Sequence, residues 1–155
     1  MRHQQVRVGD GLAVDRGVLE NPASCEELTG RIIACAIAVH RYFGAGLLES
    51  IYEESLAFEL RANGLKVNRE CSIPVVYRGH ALGTAFRPDC IVEDTVLVEV
   101  KAVTELAPIH NAQVITYLKL TGCPVGLLIN FNSPLVTDGV RRLDHPDLYK
   151  KRPGQ

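Results

Sequence analysis

The chain has 155 residues, 46% of them hydrophobic, which suits one domain with a substantial core and is too short for two. Lys and Arg total 17 against 18 acidic residues, a net charge of -1. That balance argues against a protein that holds long duplex by a basic surface alone, because neutralising phosphates supplies most non-specific affinity. No run of about 18 apolar residues occurs, and Met1-Arg2-His3-Gln4-Gln5 is not followed by the apolar stretch of a signal peptide. No membrane span is therefore expected, and the expected location is cytoplasmic.

Residues 1–21 mix Gly, Asp, Arg and Gln with little periodicity and read as a flexible N-terminal arm. Asn21-Pro22 precedes Ser24-x-x-Glu27, a capping-box pattern for the start of a helix. Leu28, Ile32, Cys35, Ala36 and Val39 give that helix an apolar stripe, and it should end near Arg41 to Phe43, before Gly44-Ala45-Gly46. A second helix is expected from about Leu47 to Asn63, stopped by Gly64. Glu49, Tyr52, Glu53, Leu56 and Leu60 share one of its stripes, so acids head a line that ends in core leucines. Glu49 also suits the positive end of the helix dipole, and Glu53 reads as a surface or supporting acid.

Val67 to Tyr77 reads as a strand interrupted by Pro74, which suits an edge or a bulge. Arg78-Gly79-His80 is a turn, and Ala81 to Val92 the next strand, irregular at Gly83 and Pro88. A strand through Glu99 and Lys101 follows, then a loop through Pro108 and a helix from Ile109 to Thr121, where Gly and Pro are absent. Gly122 ends that helix, Val125 to Ile129 is an apolar strand, and Asn130 to Pro134 closes the core. The single domain should occupy 22–145. Residues 146–155, with Lys150-Lys151-Arg152, form a basic tail that suits a solvated end better than a nucleic-acid grip. Five scattered cysteines without a Cys-x-x-Cys argue against disulfide frameworks, zinc ribbons and iron–sulfur clusters, and most should be buried thiols.

The chemistry concentrates between Arg87 and Lys101. Cys90-Ile91-Val92 and Val96-Leu97-Val98 flank Glu93-Asp94-Thr95, which predicts a hairpin. With a three-residue loop Val92 pairs with Val96, Asp89 faces Glu99, and Arg87 faces Lys101. Leu97, Glu99 and Lys101 then share a face. Two opposed carboxylates repel unless a cation lies between them, and a hard divalent ion such as Mg²⁺ would supply one. Lys101 beside it would orient or deprotonate water, or steady charge on a phosphate. Two cations, Arg87 and Lys101, would favour an anionic ligand. On spacing alone, solvated charges on an exposed face fit the pattern equally well.

Pro88-Asp89…Glu99-Val100-Lys101 resembles the motif of the PD-(D/E)XK nuclease superfamily. Gln113-x-x-x-Tyr117, whose i, i+4 spacing puts amide and hydroxyl on one helix face, is similar to the element that follows Glu-x-Lys in the RecB-type exonuclease branch. Gly46-Leu47-Leu48-Glu49-Ser50-Ile51-Tyr52 resembles the Gly-x-x-Glu-x-x-Tyr signature of a family of small proteins. That likeness runs from about Thr29 to Asn132 and takes in Leu106-x-Pro108-x-His110-x-x-Gln113 and Gly126 to Phe131.

The resemblance implies an α/β (α+β) fold, an αβββαβ nuclease core with a mixed sheet flanked by helices, here with an extra N-terminal helix. It implies Asp89, Glu99, the Val100 carbonyl and Glu49 as metal ligands, Lys101 as the catalytic lysine, and Mg²⁺ or Mn²⁺ as cofactor. Gln113 and Tyr117 would contact substrate or fix Lys101, or else pack the helix. Arg87, His110 and Tyr52 are further candidates for the substrate side, with a structural histidine the alternative for His110 and packing or hydrogen-bonding beside Glu49 the alternative for Tyr52. The function implied is metal-dependent hydrolysis of phosphodiesters in nucleic acid, DNA in the first place. A nuclease-fold module without turnover, working through nucleic acid or a protein partner, is the competing reading. A homo-oligomer stays open.

Overall fold

Apolar side chains at helical spacing from Leu28 to Val39, and at alternate positions from Val96 to Val100, require layers that cover one another. The computed structural model, which describes residues 5–8, 12–15 and 22–148, supplies them. In chain order the elements are β1 (Gln5–Val8), β2 (Leu12–Asp15), α1 (Pro22–Phe43), α2 (Glu49–Ala62), β3 (Val67–Asn68), β4 (Ile73–Tyr77), β5 (His80–Phe86), β6 (Cys90–Val92), β7 (Val96–Lys101), α3 (Pro108–Thr121), β8 (Val125–Asn130), a 3₁₀ turn (Val136–Gly139) and β9 (Val140–Asp144).

The main sheet has the order β3-β6-β7-β8-β9. Only β7 and β8 run parallel, and a parallel pair needs a crossover, which α3 provides. On one face Ile32, Ala36 and Val39 of α1 and Tyr52, Leu56 and Leu60 of α2 pack on Val96, Val98 and Val100. On the other, Val114 and Leu118 of α3 pack on Ile91, Leu97 and Leu128. A Cβ added at Gly126 would lie 2.6 Å from Val114 Cγ1, so α3 sits on β8 at a distance only glycine permits. All five cysteines are buried thiols, as expected.

The β6–β7 register is the expected one, with Cys90↔Val98, Ile91↔Leu97 and Val92↔Val96. Glu93 and Asp94 take φ of 52° and 51°, the left-handed pair whose twist suits a tight hairpin. Lys66 holds them there. Its amide donates to Glu93 Oε1 at 2.8 Å, its carbonyl accepts from the Glu93 amide at 2.9 Å, and its ammonium meets Asp94 Oδ2 at 2.8 Å.

Helix α2 ends as Gly64 predicts. Leu65 N donates to Leu60 O and Gly64 N to Arg61 O, a Schellman arrangement with Gly64 at φ 80°.

Four details differ from the sequence reading. Helix α1 begins at Pro22, so Ser24 lies inside its first turn and does not precede it; proline suits a first helical position because it has no amide to leave unsatisfied. The two long strands expected over 67–77 and 81–92 are each divided: the second breaks at Pro88, which cannot donate to a ladder, whereas the first breaks at residues 69–72, and Pro74 lies inside β4, paired with Ala85. Their outer parts, β4 and β5, pair only with each other, with the register shifting between Pro74 and Val76. Beyond Pro134 the chain does not leave the core but returns as β9, antiparallel to β8 at the sheet edge. Within the segment read as an arm, β1 and β2 pair as a hairpin. Residues 1–4, 9–11 and 16–21 of that segment, and 149–155 of the basic tail, lie outside the described residues.

Candidate metal centre

Helix α2 is aimed by the loop before it. Gly44 and Gly46 take φ of 70° and 100°, which residues with a Cβ rarely adopt. The Tyr52 hydroxyl, one turn into α2, donates to Gly44 O at 2.6 Å and accepts from Leu47 N at 3.1 Å. Its ring is fully buried and stacks on Phe131 with centroids 4.7 Å apart. The loop is thereby folded onto the helix, and Glu49 becomes the first helical residue. The Gly46, Glu49 and Tyr52 spacing thus has a mechanical meaning: glycine turns the chain, tyrosine pins it, and the carboxylate is presented. Tyr52 thus packs and hydrogen-bonds beside Glu49, its hydroxyl committed to Gly44 and Leu47 and its ring to Phe131.

Glu49, Glu53 and Asp89 converge. One carboxylate oxygen from each lies within 4.8 Å of the others, and all three residues are half-buried. Asp89 follows Pro88 where β5 has ended and β6 has not begun, and two bonds fix it to β7. Asp89 Oδ2 accepts from Val100 N at 2.7 Å, and the Asp89 amide donates to Glu99 Oε1 at 3.1 Å. Asp89 and Glu99 therefore meet across the hairpin as the register required, and Val100 stands at the same point.

Such crowding is electrostatically costly. Burial, then repulsion from Asp89, pushes the Glu99 carboxyl up to about 8; Glu99 is 4% exposed. Burial, then Asp89 and Glu49, pushes Glu53 up to about 7, and its side chain hydrogen-bonds Asp89. Asp89 is itself raised, by burial first, although the Val100 amide favours its ionised form. Lys101 is half-buried and its ammonium favours the ionised forms of both Asp89 and Glu99, which places its charge beside them. Arg69 does the same for Glu53.

Lys101 and the loop after it are held by Asn130, which is 2% exposed. Asn130 Nδ2 donates to Val103 O at 2.9 Å, Oδ1 accepts from Val103 N at 3.1 Å, and Phe131 N donates to Lys101 O at 2.9 Å. On α3, Gln113 Nε2 donates to the Tyr117 hydroxyl at 3.0 Å, and the Tyr117 ring stacks on Phe86 at 4.3 Å. The i, i+4 pairing is real, and it joins α3 to the end of β5. His110 Nδ1 accepts from the Ala107 amide at 2.9 Å and caps α3. A neutral ring then carries its proton on Nε2. Arg87 is exposed, and the described ladder stops at Cys90 before reaching it.

Sequence reasoning missed two contributors. Glu53, read as a surface or supporting acid on the same helix face as Glu49, lies within the cluster itself. Asn130 had no signal beyond standing at the end of an apolar strand. The donor set fits a divalent cation: several hard oxygens, partly withdrawn from water and carrying unneutralised repulsion, suit a hard ion. Glu49, Glu53 and Asp89 are the residues placed to hold it, with Glu99 adjoining.

A mixed sheet with helices on both faces, and carboxylates and a lysine at the end of its central hairpin, defines a nuclease-like α/β fold. A family model for the PD-(D/E)XK nuclease superfamily matches residues 26–143, and the chain belongs to that superfamily. No curated protein and no solved structure matches it significantly. Among the described residues no helix is long and apolar enough to cross a membrane.

Proposed function

We propose that this protein is a Mg²⁺- or Mn²⁺-dependent phosphodiesterase acting on nucleic acid, DNA in the first place, in the cytoplasm. The observation that carries the reading is the convergence of Glu49, Glu53 and Asp89 within 4.8 Å, joined to Glu99 by the Asp89 amide. Gly46, Glu49 and Tyr52, with Gln113 and Tyr117, support a finer placement among the Gly-x-x-Glu-x-x-Tyr proteins of the RecB-like branch. Glu49, Glu53 and Asp89 hold the ion, with Glu99 and the Val100 carbonyl as further oxygens at the same end of β7. Bound there, the ion supplies Lewis acidity toward a phosphoryl oxygen and lowers the pKa of a water.

Lys101, held as an ammonium in the field of Asp89 and Glu99, would donate a hydrogen bond that orients the attacking water or steadies negative charge developing on the phosphate. The Phe131 amide holds the Lys101 carbonyl, and the Asn130 side chain holds Val103 of the loop that follows. Arg87, Gln113 and Tyr117 line the approach for a phosphate backbone, and His110 offers Nε2–H to it.

The test is cleavage of labelled single- and double-stranded DNA and RNA with Mg²⁺ or Mn²⁺, comparing the parent with Lys101→Ala. Metal-dependent cutting that the substitution abolishes supports the reading and names the substrate. If neither protein cuts and the parent still binds Mn²⁺, the chain is a nuclease-fold module without turnover.

A further inference from the structure

The β4–β5 hairpin is not explained by the core or by the acidic centre. Its base is anchored: Ile73 is 5% exposed, pairs with Phe86, and Phe86 stacks on Tyr117 of α3. Beyond the base both strands leave the sheet and pair only with each other. At the tip Tyr77 pairs with His80, and Arg78 and Gly79 form the turn at φ 50° and 77°. Val76 and Tyr77 are 53% and 60% exposed there. A lone two-stranded ribbon is marginal in water and leaves two unpaired edges, so it is a costly element to keep without an occupant.

Charge indicates what that occupant is. From Cys71 to Pro88 the chain has no Asp or Glu and carries Arg78, Arg87 and His80, although acids outnumber bases in the whole molecule. The Arg78 guanidinium lies 5.4 Å from the Tyr77 ring centroid, which puts a cation beside a ring that is 60% exposed. An aromatic face next to an arginine on an otherwise neutral ribbon is a platform on which unpaired bases stack while the guanidinium meets phosphate. The ribbon is continuous with the centre, because β5 runs through Arg87-Pro88 directly into Asp89. Its four residue steps from Ile73 to Tyr77 span about 13 Å.

We propose that the β4–β5 hairpin is a nucleic-acid-binding arm that grips single-stranded nucleotides flanking the scissile phosphate, with Tyr77 as the stacking platform and Arg78 as a phosphate contact. The proposal rests on the nuclease reading of the acidic centre and adds its substrate class, an unpaired strand.

Fluorescence anisotropy with labelled single-stranded and duplex oligonucleotides, in Ca²⁺ to support binding without turnover, tests it on the full chain. Single strands should bind the parent more tightly than duplex of equal length. Tyr77→Ala should lose about tenfold or more of that affinity, while Tyr77→Phe retains it. Arg78→Ala should flatten the dependence of log K on log salt by about 0.7. Mn²⁺ affinity by calorimetry and the unfolding midpoint should match the parent in all three variants, since both side chains are remote from the carboxylates and the core. Equal affinity of Tyr77→Ala and parent, an unchanged salt slope in Arg78→Ala, or preference for duplex overturns the arm. If the parent cuts nucleic acid but the arm variants bind as it does, the arm alone fails. If the parent neither binds nor cuts any nucleic acid, the nuclease reading fails and takes the arm with it.

Discussion

Glu99→Gln provides a stringent test of the acidic centre, because the metal-free fold is destabilised by the charge that the ion is meant to neutralise. Glu99 is 4% exposed, and burial followed by repulsion from Asp89 lifts its carboxyl from the ordinary 4.5 to about 8. A raised acid binds more protons folded than unfolded between those two values, so stability falls as pH climbs through that window. Each pH unit costs at most about 1.4 kcal/mol, and the whole interval on the order of 4 kcal/mol, a large part of the ~5–15 kcal/mol that holds a domain together. Gln keeps an oxygen that accepts from the Asp89 amide and removes the charge. In EDTA, urea denaturation of the parent should lose stability steadily from about pH 5 to about pH 8.5. The variant should match the parent at the acid end, exceed it at the alkaline end and vary less between them. Saturating Mn²⁺ should lift the parent most at high pH, where the ion no longer has to displace protons. A parent whose metal-free midpoint is flat across this range, or a variant that falls as steeply, would refute the electrostatic account.

Three further outcomes follow from the geometry. Glu53→Gln and Asp89→Asn should each weaken Mn²⁺ by at least about tenfold in calorimetry, and an unaltered affinity in Glu53→Gln would remove that residue from the centre. Tyr52→Phe keeps the stack on Phe131 but strands Gly44 O and Leu47 N, which should cost about 2 kcal/mol of unfolding free energy and weaken Mn²⁺ by loosening the loop that presents Glu49; a variant as stable as the parent contradicts the clamp. Gly126→Val drives side-chain carbon into Val114 and Leu118 and should destabilise by about 1–3 kcal/mol, read as a lowered thermal midpoint, whereas an unchanged midpoint would mean that α3 can move off β8 freely.

Much of the centre was legible in the chain because it depends on local periodicities. The alternation from Val96 to Lys101 and the length of the Glu93–Thr95 loop determined that Asp89 would meet Glu99, and a shift of one residue would have buried the wrong face. Gly46, Glu49 and Tyr52, and the pair Gln113 and Tyr117, stood out by their resemblance to family motifs, and the i, i+4 relation that puts Gln113 and Tyr117 on one face holds on any helix. Buried cysteines followed from their scatter.

What tertiary structure decided is which of these local pieces meet. Sequence spacing says that Glu53 lies beside Glu49 but not that the start of α2 lies against Asp89, since the contact depends on how α2 crosses the sheet. Tyr52 carried a polar group that suggested substrate until its hydroxyl was found spent on Gly44 and Leu47, partners that only the folded loop presents. The Nδ1 of His110 likewise found its partner in the Ala107 amide at the start of its own helix. The breaks between β3 and β4 and at Pro88, and the return of β9 to the sheet edge, rest on competition between ladder partners distant in the chain. Local dihedral preferences and side-chain periods are properties of a few consecutive residues, whereas burial, and with it the raised carboxyls of Glu53 and Glu99, exists only once separate segments have excluded water from between them.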